Sequence, residues 1–175
     1  MNHKKLTKLT FTAMLAAAAL AVSFLERSLT ALLPLPPGIK PGLSNIVVLF
    51  ACASLGLSGA LGIAVIKSGF VFLVSGVTAG SISLAGGVLS TITMFLLCRI
   101  KTEKLGFTGI SVTSAVMHNA GQLIASSLIV GSALYLSYAP VLLISGTLFG
   151  FITGVILNAV MPAINKLYTN FTEID

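Results

Sequence analysis

Six apolar runs, separated by glycine, proline or basic residues, constrain this chain more than any other feature. They cover about residues 7–29, 43–57, 60–77, 81–97, 107–130 and 134–160. A helix that crosses a bilayer needs about 20 mostly apolar residues, and most of the runs approach or exceed that length. Charged residues make up 8% of the 175, and mean hydropathy is +1.06. A soluble domain carries about 25% charge, so this chain cannot clothe a water-facing surface. The expected fold is all-α: a polytopic membrane protein built as a six-transmembrane-helix bundle.

The few charges orient such a bundle. Lys4, Lys5 and Lys8 precede the first run, Arg99, Lys101 and Lys104 share the loop "CRIKTEKLG", and Lys166 follows the last run. Clusters of this kind mark cytoplasmic ends. Six crossings bring both termini and the fourth-to-fifth loop to one side, so the expected topology is N-in and C-in, in the cell membrane. The net charge of +6 then reflects orientation, and no nucleic-acid partner is expected. Residues 1–6 are expected to form a basic cytoplasmic start, 7–163 the six-helix transmembrane domain, and 164–175 a cytoplasmic tail whose end, "YTNFTEID", is expected to fray. The first run is too long for a signal core, and further spans succeed it. The second and third runs are short and broken at "GLSG", which leaves room for one to be tilted or incomplete and for five spans; five would separate the terminal basic clusters, so six are expected. Pro162 closes the last. Cys52 and Cys98 lie inside apolar runs, where free cysteine behaves as a small hydrophobe; no disulfide or metal site is expected.

Polar groups inside such runs are costly and usually face the bundle interior or a cavity. Lys67, in "GIAVIKSGFVF", is the clearest case. It is either a counter-ion for an anionic ligand group, or a cation that snorkels or pairs structurally with a carboxylate, Glu26 being the only acid near any run. The stretch "SAVMHNAGQLIASS" supplies His118, Asn119 and Gln122. Ser111, Ser114, His118 and Gln122 fall at helical spacings of three and four, on one stripe. Hydroxyl, imidazole and amide groups together suit a polar, ring-bearing ligand; the alternative is hydrogen-bonded glue between helices. Glu26-Arg27 reads as an interfacial ion pair ahead of the alternative, ligand binding. Ser44 reads as the N-cap of the second helix, which leaves Asn45 to face inward. Gly146, Gly150 and Gly154, followed by Asn158, form a small-residue face for helix packing. Ala13, Ala17 and Ala21 form another, which would suit a partner subunit if exposed. No GxxxxGK[ST] loop is present, so ATP-powered movement would need a second chain.

The stretch "LPPGIKPGLSNIVVLFA", residues 35–51, resembles the first loop and second helix of substrate-binding S components of energy-coupling-factor (ECF) vitamin transporters of the riboflavin-binding type. Lys40, Leu43, Ser44, Asn45 and Ile46 hold the matching positions, and Lys67 matches the internal lysine of that family's third helix. Ala13-xxx-Ala17 resembles its docking motif for the coupling subunit. Along nearly the whole six-run region the chain is similar to the Gx transporter family, whose older label is heptaprenyl diphosphate synthase component I. The marks are "GIKPGLSN", "SLAGGVLS" and "AVMHNAGQL". The resemblance implies an S component that takes a vitamin-like, flavin-like or isoprenoid-derived small molecule from the extracytoplasmic side. It implies ligand contacts from Lys40, Asn45, Lys67, His118, Asn119 and Gln122, with the first loop as a gate. The implied partner, docking on Ala13, Ala17 and Ala21, is an ECF coupling transmembrane subunit with two ATPase subunits. No resident cofactor is implied. Asn45 stands where riboflavin binders carry an acid, and the chain has no Trp for stacking. Prenyl transfer needs clustered aspartates to hold magnesium, yet the one aspartate is Asp175, so the chain is not expected to be an enzyme. Two other roles fit the same family: a membrane subunit of a quinone- or flavin-dependent extracytosolic electron-transfer system, or a non-catalytic subunit associated with isoprenoid diphosphate synthesis.

Overall fold

In the computed structural model, residues 3–32, 42–100, 106–132 and 137–172 are described, and their regular structure is helical throughout. Six helices follow in order: α1 (His3–Leu32), α2 (Asn45–Ser54), α3 (Gly56–Ser75), α4 (Val77–Arg99), α5 (Gly106–Val130) and α6 (Ala139–Thr172). Four of them, α1, α3, α4 and α6, contain segments long and apolar enough to cross a membrane. That makes the chain a membrane protein. α5 has 25 residues, but the polar side chains that crowd its middle keep it out of that group.

The second run departs most from expectation. α2 has ten residues, which is about 15 Å of helix, half a bilayer core rather than a span. Val48, Leu49, Phe50, Ala51 and Cys52 are all buried in succession. A helix that is apolar all round belongs inside a bundle, and α2 packs against α1, α3, α4 and α6. Phe50 meets Phe11 of α1 edge-on, ring centroids 6.1 Å apart, a geometry worth about 1 kcal/mol beyond contact area.

The breaks also differ from those expected. The α2–α3 junction falls at Leu55-Gly56, where Gly56 has φ +77°, and "GLSG" is the first turn of α3 rather than the break. α3 turns directly into α4 at Gly76, whose φ of 85° is accessible to glycine at little cost. Pro162 does not close the last helix: α6 continues through it to Thr172, so part of the expected frayed tail is helical. Proline inside a helix removes one backbone bond, a defect that neighbouring helices in membrane bundles commonly absorb.

α3, α4, α5 and α6 pack as successive antiparallel neighbours. Their contacts are made by glycine. A Cβ on Gly150 of α6 would lie 2.8 Å from the Val112 Cα of α5, and one on Gly154 only 2.5 Å from the Thr108 Cα. The glycine face of α6 therefore serves packing within the bundle, as its spacing suggested. Phe72 lies on Gly80 across the α3–α4 turn, so that ring too is spent on packing.

Candidate functional site

Two polar clusters lie among these helices. The first begins on α1, whose inward stripe runs Phe11, Leu15, Ala19 and then Glu26, all buried. Spacings of four, four and seven keep these residues on one face. Glu26 is 5% exposed and sits six residues before the end of α1, about 9 Å short of it along the axis. Its carboxylate accepts hydrogen bonds from the Gly42 N–H, from the Ser44 N–H at 3.4 Å and from the Ser44 hydroxyl at 3.2 Å. The expected ion pair with Arg27 is replaced by these contacts. Arg27 is exposed, because adjacent residues on a helix do not share a face.

Gly42 and Ser44 lead into α2. The Asn45 and Ile46 N–H groups bond to the carbonyls of Gly42 and Leu43 at 2.9 and 3.1 Å, which starts the helix. Ser44 occupies the N-cap position but its side chain makes no capping bond, contrary to the role expected of it. Glu26 takes that part, placing a negative charge against the positive end of α2. Ser44 links two charges instead. Its hydroxyl donates to Glu26 and accepts from Lys67 Nζ at 3.0 Å; Lys67 Nζ also donates to Asn45 Oδ1 at 2.7 Å. An ammonium has only donors, so the amide oxygen must face it.

Lys67 is 8% exposed. It follows Gly56 by 11 residues, about 16 Å along α3, and this matches the length of α2. Helix geometry thus brings the middle of α3 level with the start of α2. Asn45 and Lys67 come together, with Glu26 and Ser44 beside them. Lys40 lies outside the described residues. The sequence offered Glu26 both as the one acid near Lys67 and as a partner for Arg27; the structure joins it to Lys67 through Ser44, in register with Phe11, Leu15 and Ala19.

The second cluster joins α4 and α5. Ser90 donates to the Gly87 carbonyl at 3.1 Å and lies 3.4 Å from His118 Nδ1. His118 and Gln122 lie across Gly86, where a Cβ would come 2.7 Å from the His118 carbonyl oxygen and 2.8 Å from Gln122 Cγ. Gln122 is 8% exposed. Among the described residues its amide has no hydrogen-bond partner.

The expected stripe on α5 therefore splits. Asn119, which lies beside the stripe, donates to the Leu142 carbonyl of α6 at 2.6 Å, and Asn158 of α6 returns a bond to Thr108 at 2.9 Å. Ser114 bonds its own helix at Ile110, 2.6 Å away, and Ser111 packs on Gly150 and Gly154. Asn119, Ser111 and Ser114 thus serve the bundle. The two clusters are joined through α4, since Ser68, next to Lys67, lies against Gly87, whose carbonyl holds Ser90. Ala13, Ala17 and Ala21 are all exposed on the far face of α1. Cys52 is buried with its thiol 3.8 Å from the Thr91 carbonyl, and no group of three or more metal-ligating side chains occurs among the described residues. The arrangement can bind by hydrogen bonds; it presents no activated nucleophile.

No curated protein and no solved structure matches the chain. The family model described as heptaprenyl diphosphate synthase component I matches residues 15–160. That span takes in Glu26, Asn45, Lys67, His118 and Gln122, and the chain belongs to that family.

Proposed function

We propose that this protein is a membrane-embedded, ligand-capturing subunit, organised like the substrate-binding component of an ECF-type transporter. One observation carries the reading: a non-helical backbone segment, Gly42–Ser44, enters the bundle beside buried Glu26 and Lys67. In a membrane, irregular backbone at depth is tolerated only where protein buries it or where it lines a cavity. Ionisable residues there mark ligand or ion sites. The segment before α2 together with α2 completes one crossing in this reading, so six crossings leave both termini in the cytoplasm.

Lys40, outside the described residues, keeps in this reading the gating role that the resemblance implies. Asn45, His118 and Gln122 would contact the ligand, with Lys67 holding Asn45 in place. The exposed Ala13, Ala17 and Ala21 face would receive a coupling subunit carrying two ATPases, since close approach between membrane helices favours small residues.

The family's name favours a second reading, a non-catalytic membrane subunit that works beside a prenyl diphosphate synthase. A role in quinone or flavin electron transfer uses the same bundle. Mass spectrometry of small molecules extracted from gently purified protein tests these readings. A stoichiometric flavin or vitamin, lost in Gln122→Ala, is the expected result. A quinone or polyprenyl species would replace ECF-type capture by electron transfer or isoprenoid handling.

A further inference from the structure

The ligand's charge is a separate question, and the Glu26 cluster bears on it directly. Lys67 would call for an anionic ligand if no carboxylate were near it. Here the chain brings its own. Glu26, the only carboxylate side chain among the described residues, reaches Lys67 through a single hydroxyl, that of Ser44. It also receives the N–H groups of Gly42 and Ser44. The ammonium and the positive end of α2 lie side by side, and both are favoured by one negative charge in their midst. A second anion would have to share that ammonium with Glu26, and at low dielectric the repulsion between two such charges is large. The second cluster also presents an uncharged group: the Gln122 amide, a donor and an acceptor together.

We infer that Glu26 is a specificity-determining residue: it supplies the counter-charge of Lys67 internally, so the site accepts an uncharged carbonyl- or hydroxyl-bearing head group and rejects an anionic one. This rests on the ligand-capturing reading above, but its test needs no natural ligand. If extraction yields no small molecule, the capture reading fails while the charge assignment can still be measured. If the charge assignment fails, a captured ligand stands.

The experiment is thermal melting of the full chain, in a Cys98→Ala background, in lipid nanodiscs, followed with a thiol-reactive fluorogenic dye that reports exposure of Cys52, 4% exposed in the folded state. The probe is millimolar inorganic diphosphate. The wild-type midpoint is expected to stay where it is. Glu26→Gln, which keeps the shape and removes the charge, is expected to melt about 5 °C higher with diphosphate than without, and the double variant Glu26→Gln/Lys67→Met is expected to lose that response.

A Lys67-dependent rise in the wild type would overturn the inference, as would a folded Glu26→Gln variant indifferent to diphosphate. Should Glu26→Gln fail to fold, the wild-type arm still decides; where it folds, a double-mutant cycle adds a second readout. Either single change is expected to lower the midpoint, and the double variant to recover part of that loss, because each single change strands a buried charge. Additive losses would overturn it.

Discussion

At the scale of single residues, Asn119 and Gln122 show how three positions on a helix separate two roles. Both are amides in one short motif, yet Asn119 bonds the Leu142 carbonyl of α6 while Gln122 lies over Gly86 of α4. Asn119→Ala should therefore cost about 1 kcal/mol of stability, within the range of interhelical bonds in membrane proteins, and leave a co-purified ligand in place. Gln122→Ala should do the reverse, releasing the ligand with little change in melting. Dye-reported melting and extraction of the two variants side by side check this. The polar character of the motif was legible in the sequence. Its division was not, because which face meets α4 and which meets α6 depends on how the helices pack. Glu26 makes the same point from the other side. Its register with the buried stripe was available from spacing alone, but a carboxylate's partners come from distant segments, here 16 and 18 residues away.

At the scale of elements, glycine decides how closely helices approach. Gly150 has the Val112 Cα at 2.8 Å from where a Cβ would stand, whereas Gly62 of α3 has nothing within 4 Å. Gly150→Ala should destabilise the bundle by about 2 kcal/mol, the cost of overpacking against backbone. Gly62→Ala should be neutral or stabilise by up to about 1 kcal/mol through helix propensity. Melting both variants distinguishes packing glycines from incidental ones; equal effects would contradict the assignment. The four-residue spacing in α6 predicted its packing face correctly. Spacing could not tell whether the alanine face of α1 is inside or outside, and the fold places it outside.

For the whole molecule, the length of α2 is the pivotal fact. If α2 and the segment before it complete one crossing, both termini share a side. In a Cys52→Ala, Cys98→Ala background, cysteine at Ser132 should react with an impermeant maleimide on intact cells. Cysteines at Lys5 and Lys166 should react only after permeabilisation. Labelling of the Lys166 position from outside would mean five crossings. The sequence by itself determined that this chain is a helical membrane protein, because about 20 apolar residues with so little charge have no stable place in water. It also located most of the helices and the polar residues that lipid would not tolerate. Only the tertiary structure decided that α2 is a short buried helix, and that Glu26 rather than Ser44 faces its start. The physical reason is that hydrophobicity reports exclusion from water alone. In a bundle whose inside is as apolar as the lipid around it, position is set by shape and by hydrogen bonds between segments far apart in the chain.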